Sequence, residues 1–192
     1  RWPGDRGKMG AGSGAALDAR SLNSWPEKIN KGKGLIMLTL RPFHKKDFNV
    51  LLDLAHQAVP FAPQENEEWF RYRQAFDEAK AVRRHFIVED GDTAVGYGSL
   101  EQQHEDPSFL RIYVVCSPQR LPGEVGNLLF DRLLAEARAL GAKKLWMREL
   151  AADVAIYQFF LSKGFVETER FQLTEPRPLS IVVMQRNVQL SG

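Results

Sequence analysis

The sequence predicts one domain of mixed α and β structure, with seven strands and four helices, and three observations predict it. HFIVED (85–90), Gly91-Asp92 and TAVGYGSLEQ (93–102) read as a hairpin, because Asp-Gly suits the positive φ that a tight turn needs. SPQRLPGEVGNLL (117–129) then breaks a β-like run and opens a helix-like one. Finally, KKLWMREL (143–150) passes directly into the helical pattern DVAIYQFFLSKG (153–164).

Each element follows from local pattern. MLTLRPF (37–43) reads as a strand with Pro42 near its end. From Asp47 to Val59, Phe48, Leu51, Leu52, Leu54 and Ala55 recur at helical spacing, and Pro60 stops the run. NEEWFRYRQAFDEAK (66–80) predicts a second helix, with an Asn cap and acids in its first turn. HEDPS (104–108) turns the chain into FLRIYVVC (109–116), which completes an antiparallel meander with the hairpin. A third helix runs to about Leu140, with Val125, Leu128, Leu129, Leu133 and Ala137 on one face and Gly141 just past its end. The 143–150 strand and the helix ended by Gly164 follow, and FVETERFQL (165–173) and LSIVVMQR (179–186) close the sheet.

Composition narrows the function classes. The chain has 192 residues, 44 % hydrophobic and 26 % charged, which suits one globular domain. No apolar run approaches the roughly 20 residues needed to cross a bilayer, and no secretory signal is expected. Cys116, the single cysteine, allows no intrachain disulfide and fits a reducing compartment, so a cytoplasmic location is expected. Residues 1–36 hold seven of the fifteen glycines, and seven basic residues against three acids. That +4 leaves −2 for the rest of the +2 chain, which argues against a nucleic-acid surface on the domain. We expect 1–36 to be a flexible basic extension, 37–187 the domain and 188–192 a tail.

In this order and spacing, LTLRPF, VGYGSL, the loop after VVCSP, ARALGAKKLW and FFLSKGF resemble the GCN5-related N-acetyltransferase (GNAT) family over residues 37 to about 187. The resemblance implies a central, mostly antiparallel sheet in which the strands at 109–116 and 143–150 splay apart. It implies an acetyl-CoA-dependent N-acetyltransferase that acts by direct transfer to a small-molecule or peptide amine. It leaves room for a homodimer, and it names neither nucleic acid nor membrane as a partner. Acetyl-CoA would run along Val114, Val115 and Cys116, within an exposed strand edge from Tyr113 to Cys116. Its pyrophosphate would sit over Gln119, Arg120, Gly123, Val125, Gly126 and Asn127, with Asp153 and Phe160 alongside on the last helix. Elementary physics supports that loop, because a helix N-terminus offers unpaired N–H donors and about half a positive charge. The alternative is that the two glycines only shape a turn. The loop departs from the family pattern of Gln or Arg, two residues, Gly, one residue, then Gly or Ala: one register puts Val125 in the last place, the other Glu124 in the first glycine's place.

Acetyl transfer needs a base for the amine, a donor for the thioester oxygen and a proton for the leaving thiolate. The family often supplies that proton from a tyrosine five residues before the Phe of the GF pair, a position that is Phe160 here. Tyr157, one helical turn earlier, is the substitute acid, or a core residue with its hydroxyl at the rim. Asp153 stands where a helix cap belongs. Glu149 continues the apolar stripe Leu145–Met147 and is a candidate base, or a strand-end carboxylate in water. Glu101, in the polar run EQQHED, is the second candidate, or part of a solvated turn. Cys116 reads as a small buried residue rather than a nucleophile. The four histidines show no metal-ligand spacing. Residues 59–70 and 172–180 would wall the acceptor. The alternative function is a CoA- or acyl-CoA-binding module without catalysis. No lysine in the loop and no GxxxxGK[ST] argue against a nucleotide hydrolase.

Overall fold

In the computed structural model, which describes residues 28–29, 38–58, 83–102, 106–116, 119–121, 123–173 and 179–188, the meander forms the middle of one sheet. The strands are β1 (Lys28–Ile29), β2 (Leu38–Pro42), β3 (Arg83–Asp90), β4 (Thr93–Glu101), β5 (Phe109–Cys116), β6 (Lys144–Leu150), β7 (Val166–Leu173) and β8 (Leu179–Asn187). They lie in the order β1-β2-β3-β4-β5-β6-β8-β7. Every neighbouring pair is antiparallel except β5–β6, which is parallel.

Three α-helices occur among the described residues: α1 (Phe48–Ala58), α2 (Glu124–Ala139) and α3 (Val154–Ser162). The helix expected at 66–80 lies outside the described residues. None of the three is long and apolar enough to cross a membrane. The eighth strand, β1, falls inside the segment expected to be a flexible extension, where Lys28 pairs with Thr39 and Ile29 with Leu38. The reason is the edge of β2, whose unpaired N–H and C=O groups accept any extended chain beside them.

Burial explains why the middle strands read as continuous apolar runs. Leu110, Ile112, Val114 and Cys116 of β5 join the core beneath α2 and α3. Tyr113 and Val115 point the other way and pack with Leu51, Leu52 and Leu54 of α1. A strand covered on both faces shows no alternation of polar and apolar residues. The expected face of α2 is buried in full, from Val125 to Ala137. Gly96 and Gly98 of β4 let that helix sit close, since a methyl at either would lie within 3.0 Å of Val125, Leu129 or Leu133 side-chain atoms. Both helix ends foreseen at glycine are realised with positive φ, +72° at Gly141 and +78° at Gly164.

Candidate active site

The pairing of β5 and β6 stops early. Phe109, Leu110 and Arg111 face Lys144, Leu145 and Trp146, and no further pair joins the two strands. Beyond that point β5 stays on β4 as far as Cys116, while β6 stays on β8 as far as Leu150. The sheet therefore opens, and the Ile112–Cys116 edge of β5 looks into the gap. This is the stretch in which the exposed edge was expected, with Val114 and Val115 turned to opposite faces. Cys116 is 4 % exposed, and burial pushes its thiol up to about 12, so it is no thiolate at neutral pH.

At the wide end of the gap lies the start of α2. Gly123 is its N-cap, with extended backbone and no side-chain cap hydrogen bond. The Arg120 carbonyl accepts from the N–H of both Gly123 and Gly126, at 3.2 and 3.3 Å, which curls the loop under the helix. The Asn127 N–H is taken by Gly123 in the first helical turn, at 3.2 Å. Gln119 is exposed, whereas the Arg120 guanidinium donates to Asp90 at 3.0 Å, anchoring the loop to the end of β3. Val125 is a core residue at 2 % exposure. Glu124 is exposed at the helix start.

Glu101, expected as a candidate base or as part of a solvated turn, lies at the closed end of the gap, where it ends β4 and is only 1 % exposed. Its place follows from alternation, since Tyr97, Ser99 and Glu101 share one face of β4 while Gly96, Gly98 and Leu100 share the other. Glu101 pairs in register with Arg111, and Arg111 with Trp146. These three stand in one row across three strands, and that row is the last before the strands part. All lie on the α1 face. Ser99 donates to Glu101 Oε1 at 2.8 Å, the Arg111 guanidinium lies over the Tyr113 and Trp146 rings at 5.7 and 5.6 Å, and His85 Nδ1 is 2.6 Å from the Tyr97 hydroxyl. The Trp146 indole N–H is buried, with no acceptor among the described residues.

Glu149, the other candidate base, is half-buried and pairs in register with Val182 of β8. It shares the side of Leu145 and Met147, so the two acids are on opposite faces of the sheet. Tyr157 packs its ring on the core, but its hydroxyl donates to Glu167 of β7 at 3.0 Å. That carboxylate, itself held by Arg170, raises the phenol above its ordinary value. Phe160 is 1 % exposed and packs on Phe159 and Phe165, with centroids 5.4 and 4.9 Å away. The Asp153 carboxylate accepts from the Ile156 N–H at 3.1 Å and caps α3. Residues 59–70 and 174–178, within the two expected acceptor walls, lie outside the described residues. Among the described residues no three His, Cys, Asp or Glu side chains could hold a metal.

Comparison with known proteins places this geometry. The model of the acetyltransferase (GNAT) family matches residues 49–165. No curated protein sequence matches the chain. Among solved structures, a ribosomal-protein-alanine N-acetyltransferase from Brucella melitensis is 20 % identical, with a TM-score of 0.58 over 77 % of this chain and 98 % of its own. A phosphinothricin acetyltransferase from Sinorhizobium meliloti, in complex with acetyl-CoA, is 16 % identical, with a TM-score of 0.59 over 79 % of this chain and 88 % of its own. An N-acetyltransferase from Staphylococcus aureus is 16 % identical, with a TM-score of 0.60 over 79 % and 99 %. At these identities the likeness is one of fold.

Proposed function

Because the chain belongs to the acetyltransferase (GNAT) family, we propose that it moves the acetyl group of acetyl-CoA onto a primary amine by direct transfer within a ternary complex. The observation that carries this reading is the parted pair β5–β6, with a buried carboxylate in the last row before the gap. The catalytic unit is taken as residues 37–187.

Acetyl-CoA, when bound, supplies an acetyl group already activated as a thioester. The chain's own groups do the rest. The start of α2 meets the pyrophosphate through the helix dipole, while the N–H groups of Gly123, Gly126 and Asn127 are held by the Arg120 and Gly123 carbonyls and shape the loop. Gln119, Arg120, Gly123, Val125, Gly126 and Asn127 form that cradle by backbone and position. The Ile112–Cys116 edge holds the pantetheine arm and donates to the thioester oxygen. With the phosphate end at Gly123, the acyl end points back toward Arg111 and Trp146, beside Glu101.

Glu101 is the base. A free Lys-type amine has a pKa of about 10.4, so it reaches the site charged and must lose a proton before it can attack. The carboxylate of Glu101 takes that proton before the amine attacks, and the second proton of the nitrogen passes to water as the carbon–nitrogen bond forms. The carbon–sulfur bond then breaks, and the departing thiolate takes a proton from Tyr157 or from water. Tyr157 can serve only by giving up Glu167. Glu149, across the sheet, fits a role at the cofactor face rather than at the amine, and Asp153 and Phe160 shape the wall beside it.

One observation favours a second reading, an acyl-CoA-binding module without catalysis: Phe160 is buried where the family often carries its acid. Release of free CoA decides between them. Assays with phosphinothricin, an alanine-led peptide and a polyamine should show amine-dependent release with at least one acceptor. Glu101→Gln should lower kcat about 10²- to 10⁴-fold, the usual contribution of a positioned base. Tight acetyl-CoA binding with no release from any acceptor would favour the binding module.

A further inference from the structure

Ser99 and Glu101 are buried together, at 0 and 1 % exposure, and the Ser99 hydroxyl donates to Glu101 Oε1 at 2.8 Å. Residues two apart on a strand share a face, so the bond forms without any bend in β4. A hydroxyl with no access to water does not serve solubility.

We propose that Ser99 is a positioning residue for acetyl transfer. It fixes one oxygen of Glu101 and favours the ionised carboxylate, the form that can take a proton from the amine. This rests on the reading of Glu101 as the base. Burial disfavours a charged carboxylate, and a hydrogen bond to the charged form works against that penalty. The charged and titratable groups around it stay in place when Ser99 changes. Among the described side chains, Arg111 lies opposite Glu101 on β5 in register. His85 and Tyr113 flank Ser99 on β3 and β5, with Tyr97 two residues before it. From above, α1 presents Leu51, Leu52 and Leu54. A change in titration on removing the hydroxyl is therefore assigned to the hydroxyl.

The test does not depend on the acceptor. Chain labelled with carbon-13 at the glutamate carboxyls is titrated by NMR with and without acetyl-CoA, and the Glu101 resonance is identified by its loss in Glu101→Gln. Ser99→Ala should raise the Glu101 midpoint by about one pH unit, the size expected for losing a hydrogen bond to a charged group. Ser99→Cys, a weaker donor of similar size, should raise it by less and serves if the alanine variant fails to fold. With whichever amine is turned over, the acid limb of the kcat/KM profile should move with the midpoint, and KM for acetyl-CoA should not change. A midpoint or acid limb unmoved in both variants overturns the proposal. If Glu101→Gln keeps full turnover and its acid limb, the base reading fails, whatever Ser99 does to the titration.

Discussion

A methyl group at Gly126 would land on the carbonyl oxygen of Leu121, whereas one at Gly123 would meet only the Arg120 carbonyl, at an ordinary 3.5 Å. The two glycines of the loop therefore have different jobs. Gly126 lets the loop fold under the helix, whereas Gly123 is set by no close contact among the described residues. Gly126→Ala should cost roughly 1–3 kcal/mol by overpacking, and Gly123→Ala less than about 1 kcal/mol. Urea unfolding of both variants checks this, and equal losses would mean that the close approach to Leu121 is not what requires Gly126. The spacing of the glycines was legible in the sequence, but their division of labour was not, because it depends on where one carbonyl of a preceding turn comes to rest. Glu101 was legible as a candidate base near a strand end, but its burial was not, because that depends on the residues that β5 and β6 bring to its row.

At the scale of elements, one ion cluster fixes α1 to the sheet. Arg41 of β2 donates to Glu89 of β3 at 2.8 and 2.9 Å, and to both oxygens of Asp47 at 2.7 and 2.9 Å, just before α1 begins. Asp47 also accepts from the His44 N–H at 2.8 Å. Hydrogen bonds from Arg41, above all, lower the Asp47 carboxyl from 3.8 to about 2. A group whose folded pKa is depressed stabilises fully above its unfolded pKa and loses that contribution as pH falls toward the folded one. The window here is from about pH 4 down to about pH 2, worth roughly 2 kcal/mol for a shift of this size. The stability gap between the wild-type chain and Asp47→Asn should therefore narrow across that window, as read by urea unfolding at pH 6, 4 and 2.5. A gap independent of pH would show that the cluster does not act through the charge of Asp47. The elements themselves were largely legible, since β3 to β5 are apolar runs bounded by turn residues, and α2 and α3 carry helical patterns that end at Gly141 and Gly164. The short β1 was not, because Lys28–Ile29 becomes a strand only through the edge that β2 offers.

For the whole molecule, the central claim is that the gap between β5 and β6, with the start of α2 at its wide end, is built for an acyl-CoA. That gap was expected from family resemblance, not from any local pattern, since nothing in FLRIYVVC or KKLWMREL says where their pairing ends. The row Glu101–Arg111–Trp146 is equally non-local, created by the registers Glu101 with Arg111 and Arg111 with Trp146, the second across 35 positions of sequence. A gap of this kind should be stabilised selectively by CoA species. The most direct measurement is thermal unfolding of the chain with acetyl-CoA, desulfo-CoA and ATP, each in separate samples. A ligand at about 100 times its Kd adds about 2.7 kcal/mol, which for a domain of this size raises Tm by roughly 5–11 °C. We predict that rise with acetyl-CoA and with desulfo-CoA, and none with ATP at the same concentration. No rise with either CoA species would contradict the assignment of the gap and, with it, the proposed transfer.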